Sequence, residues 1–76
     1  MPHVNVKMMP GRDDALKRRL AEAITRTVTE VLGAAESSVS VAIEDVPGRD
    51  WKDAVYVPEI VNRPETIFKE PGYDPT

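Results

Sequence analysis

Pro2-His3-Val4-Asn5-Val6-Lys7-Met8 opens the chain with polar and apolar residues in alternation. A period of two predicts a half-buried strand over residues 2–8. Val39, Val41 and Ile43 alternate with Ser40, Ala42 and Glu44 in the same way, predicting a second strand over residues 38–45. Met9-Pro10-Gly11-Arg12 reads as a turn punctuated by Pro and Gly. Residues 13–32 between these signals read as a helix. Leu16, Leu20, Ala23, Ile24, Val28 and Val31 recur at three- and four-residue spacing and form one apolar stripe. Asp13 suits the N-cap, Asp14 the first turn and Gly33 the C-terminal stop. Strand, helix, strand is a βαβ unit, with a crossover long enough for parallel, right-handed pairing.

Arg18, Glu22, Arg26 and Glu30 alternate in sign at i, i+4, each pair stabilising by roughly 0.2–0.5 kcal/mol. The Lys17-Arg18-Arg19 run accordingly reads as a solvated helix face. After Val46-Pro47-Gly48 the pattern weakens. Residues 49–57 read as loop-like and hold the sole Trp, Pro58 and Pro64 interrupt any long helix, and Pro64 suits the first position of a short helix over residues 64–70. Pro71-Gly72-Tyr73-Asp74-Pro75 reads as an irregular tail.

The totals set limits. Seventy-six residues make one domain, taken as residues 1–76, and a chain this short buries only about 60% of its unfolded surface. There is no Cys, hence no disulfide or thiolate chemistry, and a single His, His3. Asp and Glu show no metal-ligand spacing. The net charge of −3 disfavours a nucleic-acid partner. No apolar run approaches the ~20 residues of a membrane span, and no signal peptide opens the chain. The expectation is a cytoplasmic domain with no membrane partner. A lone two-stranded sheet with one helix is not stable by itself, so a homo-oligomer is expected to cover its open face and edges.

Pro2 is the first candidate for chemistry. A small second residue favours removal of Met1, which would leave Pro2 as an amino-terminal secondary amine. Ordinary α-amino groups titrate near 7.7–8.0, so a modest downward shift yields a base at neutral pH. The plainer reading is a proline starting an edge strand. Arg12 offers a planar fork suited to a carboxylate. Six residues of strand separate Pro2 from Met8 by about 20 Å at ~3.3 Å per residue and Arg12 lies beyond that far end, so a site using both must be built between subunits. Trp51 could wall such a site and lower its dielectric, or serve as a satellite core residue.

Met1-Pro2-His3-Val4-Asn5-Val6-Lys7, then Pro10-Gly11-Arg12-Asp13-Asp14, the amphipathic helix, and Ser37-Ser38-Val39-Ser40-Val41-Ala42-Ile43 resemble the tautomerase superfamily, in its short-chain 4-oxalocrotonate tautomerase-like branch. The resemblance spans residues 2 to about 51. The ending Ile67-Phe68-Lys69-Glu70-Pro71-Gly72-Tyr73 resembles a small subgroup of phenylpyruvate-type tautomerases. It implies a β-α-β subunit in a symmetric homo-oligomer, a dimer by the subgroup and a hexamer by the wider branch. It also implies keto–enol tautomerisation of a small carboxylate without metal or organic cofactor. Pro2 takes the place of the catalytic base, Arg12 that of the arginine after the first strand, and Trp51 that of the pocket aromatic. Ser40 falls among the substrate-binding positions where the family has a second arginine. Losing that cation disfavours dicarboxylates and favours a monocarboxylate with an apolar body. Two alternatives follow. One is a hydratase or dehalogenase using Glu44 or Asp45 to activate water. The other is a non-catalytic oligomeric domain, should Met1 be retained.

Overall fold

The computed structural model describes residues 1–75, which divide into two compact units meeting at Asp45 and Val46 in the chain. The first unit is the βαβ motif. Strand β1 spans His3–Met8, helix α1 spans Asp14–Leu32 and strand β2 spans Ser40–Asp45. The strands pair in parallel, with His3 opposite Ser40 and Met8 opposite Asp45. Val4, Val6, Val41 and Ile43 are half-buried, while His3, Asn5, Ser40 and Glu44 are exposed. This division follows from successive side chains pointing to opposite faces. Val4 lies across a shallow apolar gap from Ala23, Ile24 and Val28, which identifies the face that α1 covers.

The ends of α1 form as their residues dictate. Asp13 is extended, and its Oδ1 accepts from the backbone N–H of Leu16 at 2.9 Å. That bond satisfies one of the donors the first turn leaves without a partner. Gly33 closes the helix in the left-handed conformation, φ 69°, and donates its N–H to the Thr29 carbonyl. Gly11 also needs its lack of a Cβ, since φ is 134° in the turn leaving β1. Thr25, Thr27 and Thr29 turn their hydroxyls back onto helix carbonyls and so stay compatible with α1.

Several details depart from the pattern reading. The second strand begins at Ser40, not Ser38, because Glu36–Ser38 forms a 3₁₀ turn in which Ser38 donates both its N–H and its hydroxyl to the Ala35 carbonyl. Lys17 does not belong to a solvated face. Its Nζ lies 2.9 Å from Asp45 Oδ2, and its side chain is only 20% exposed. Another lies in the second unit, where Lys52–Val61 is a helix despite Pro58 in its middle. It is wound in the wider π register, with Asn62 N–H donating to the Val57 carbonyl at 3.0 Å where it ends. Proline brings no N–H in either register, but its ring crowds the carbonyl four residues back in an α-helix, and the wider turn eases that crowding.

The rest of the second unit is made of short pieces. Gly48–Asp50 and Pro64–Thr66 are single 3₁₀ turns, so the helix expected over residues 64–70 stops after one turn. Trp51 Nε1–H donates to Tyr73 Oη at 3.0 Å, and the Tyr73 ring lies 5.9 Å from that of Tyr56, tilted by 47°. The stretch read as an irregular tail is thus anchored by its tyrosine. Val55, 6% exposed, is the one apolar side chain among the described residues that is buried. No helix among the described residues is long and apolar enough to cross a membrane.

Candidate active site

The sheet register brings two of the four candidate residues together. Pro2 precedes the first paired residue of β1, and its carbonyl accepts the backbone N–H of Ser40 at 3.1 Å. This bond adds one rung to the parallel ladder and ties the amino-terminal residue to the start of β2. Beside it, His3 Nδ1 lies 2.6 Å from Ser40 Oγ. Either ring nitrogen state satisfies that contact, since a hydroxyl both donates and accepts. Pro2 itself is half-buried.

Arg12 belongs to the other end of β1. It lies past Met8, in the turn before α1, and its Nη1 donates to the Met9 carbonyl at 3.2 Å. The six-residue strand, about 20 Å long at ~3.3 Å per residue, lies between it and the amino terminus of its own chain. Arg12 lines an open groove of about 430 Å³ along α1. Met8, Leu16 and Leu20 give that groove an apolar lining, and Arg19 and Arg26 add cations beside the Glu22 carboxylate. An apolar surface edged by guanidinium groups suits an organic anion, because the forks bind oxygen pairs while the hydrocarbon accepts an apolar body. Trp51 belongs to the second unit, half-buried against its hydrogen bond to Tyr73.

Neither carboxylate considered for activating water stands unengaged. Glu44 Oε2 accepts from Asn5 Nδ2 at 2.9 Å, and Asp45 pairs with Lys17. The contact that pattern reading missed is the one between His3 and Ser40. Alternation placed each on the outer face of its strand, but pairing them needs the register, which alternation leaves free in steps of two.

The chain is similar to known proteins along most of its length. The tautomerase enzyme family model matches residues 2–57. A probable tautomerase of Xylella fastidiosa is 48% identical over 73 residues, which is 96% of this chain and 89% of that protein. The tautomerase PptA of Cronobacter sakazakii is 41% identical over 76 residues, covering 97% of this chain and 99% of the other. Among solved structures, YwhB, a homologue of 4-oxalocrotonate tautomerase, superimposes with a TM-score of 0.60 at 45% identity, over 62% of this chain and 77% of its own. TomN, a 4-oxalocrotonate tautomerase homologue of the tomaymycin biosynthetic pathway, gives 0.63 at 28% identity, over 86% and 97%. With the parallel β-α-β fold and a family match over most of its length, this chain belongs to the tautomerase superfamily, in the 4-oxalocrotonate tautomerase-like family, and is an isomerase.

Proposed function

We propose that the protein interconverts the keto and enol forms of a small 2-oxo or unsaturated monocarboxylic acid, with Pro2 as the general base once Met1 is removed. The tether of Pro2 to Ser40 carries this reading, because it gives the terminal residue a fixed place on the sheet. The ring nitrogen takes a proton from the enol hydroxyl or the α-carbon and returns it to the other end of the conjugated system. The result is a 1,3- or 1,5-proton shift with no net change in atoms. Such acid–base catalysis supplies about 10²–10⁴-fold, and positioning of the carboxylate must supply the remainder.

Arg12 binds the carboxylate from a neighbouring subunit, since the length of β1 separates it from the Pro2 of its own chain. Trp51 offers an apolar face to the substrate. Ser40 stands neutral among the binding positions and suits a substrate with one carboxylate. We take the assembly to be a homodimer. Its support is the apolar surface the single chain leaves open, with Leu16 44%, Val31 76% and Leu32 66% exposed. We take residues 1–76 to act as one tautomerase-like domain, because the family match runs across the division between the two units.

The test is a Pro2→Ala variant assayed with phenylenolpyruvate, after intact mass has established that Met1 is absent from the parent. Turnover should fall by at least ~10²-fold. Undiminished turnover removes Pro2 from the chemistry.

A further inference from the structure

Two side-chain hydrogen bonds on the outer face of the sheet differ in kind. Asn5 reaches diagonally to Glu44, past its register partner Ala42. His3 and Ser40 are themselves register partners and meet at 2.6 Å on the rung next to Pro2. Both residues are exposed in the single chain. A hydrogen bond open to water adds little to stability, because water replaces it at small cost. Its value lies in what it holds still.

Ser40 is bonded twice at this rung, through its N–H to the Pro2 carbonyl and through its hydroxyl to the His3 ring. The first bond fixes the carbonyl of the peptide plane joining Pro2 to His3, and the second ties the His3 side chain to the same residue. Chain termini fray unless tied down, and proline brings no N–H of its own to the ladder. Once Met1 is gone, nothing upstream restrains Pro2. The plane held at its carbonyl then leaves rotation about the Pro2 Cα–C bond as the freedom between the sheet and the reacting nitrogen.

We infer that His3 and Ser40 form a coupled positioning pair that holds the Pro2 nitrogen in register with the substrate, His3 acting through Ser40 and the shared peptide plane and not on the substrate. This rests on Pro2 being the base. The histidine therefore governs the rate of proton transfer more than the affinity for substrate.

A double-mutant cycle on the Met1-processed full chain tests it, using His3→Leu, Ser40→Ala and the combined variant with phenylenolpyruvate. Each single change should lower kcat about tenfold, short of the ~10²-fold cost of a 1 Å misplacement, and the combination should lower it by the same tenfold. The coupling is read in kcat, and His3→Leu should move KM by no more than about twofold. His3→Asn keeps a hydrogen-bonding atom near the place of Nδ1 and should hold kcat within about threefold of the parent. Independent losses that multiply to about a hundredfold overturn the pair, as does an effect of His3→Leu confined to KM. Should His3→Leu fail to fold, the decision passes to Ser40→Ala, read by its kcat and by the nitrogen chemical shifts of the His3 ring. Unmoved kcat or unmoved shifts overturn the inference. Pro2→Ala separates the two levels. If it keeps full turnover, the base assignment itself fails. If it is dead while the pair variants run at the parental kcat, the pair alone fails.

Discussion

The two units of this chain are ordered by different means. Residues 1–45 are held by repeating backbone bonds, a helix and a parallel ladder, yet no side chain in them is fully buried. The residues from Val46 onward have no ladder, but they hold buried Val55 and the linked aromatics Trp51, Tyr73 and Tyr56. Regular hydrogen bonding and burial are thus separable sources of order. A unit rich in the first can leave its apolar surface for a partner, and three of the four proposed site residues, Pro2, Ser40 and Arg12, are found there, with Trp51 in the other.

Substitutions should divide along the same line. The largest effect belongs to Arg12→Ala, which removes an exposed cation from the ladder-built unit. It should lower kcat/KM by about a hundredfold, the upper end of the ~1.5–3 kcal/mol of a charged hydrogen bond, while the thermal midpoint stays put. Mixing Arg12→Ala with Pro2→Ala subunits should recover part of the activity, since one site in the mixed dimer keeps both groups. No recovery after verified subunit exchange removes the shared site.

Next comes Val55→Ala in the burial-built unit. It should cost about 2 kcal/mol by denaturant titration, from lost transfer energy and the cavity left behind. Catalytic constants measured well below the transition should hold. If Val55→Ala proves neutral in stability, burial does not order that unit and the contrast collapses.

The smallest effect is that of Asp13→Ala. Losing the N-cap bond to Leu16 should cost about 1 kcal/mol. A cost as large as that of Val55→Ala would show that the caps of α1 carry more of the fold than the contrast allows.

Legibility in the sequence follows the same division, for a physical reason. Alternation at Val4, Val6, Val41 and Ile43, the cap at Asp13 and the stop at Gly33 are local signals, and each is realised in the structure. What local pattern could not supply was contact between distant residues. Lys17 leaves the charged face because Asp45, 28 residues on, sits within its reach. Tyr73 anchors the tail through Trp51, 22 residues away, with no periodicity joining them. The helix through Pro58 was illegible for another reason. The proline rule argues against the α register on both the missing N–H and the ring clash, and the wider π register eases the clash. At the candidate site, the distance between Pro2 and Arg12 follows from strand length alone. The meeting of Pro2 and His3 with Ser40 needed the register of the sheet.

Because the ladder opens at the Pro2 carbonyl and not at its nitrogen, whatever is fused ahead of that nitrogen falls outside the hydrogen-bonded frame. With Pro2 as the base, a purification tag placed there should give material that folds and is chemically silent. Recombinant preparations of this protein are best tagged at the carboxyl end.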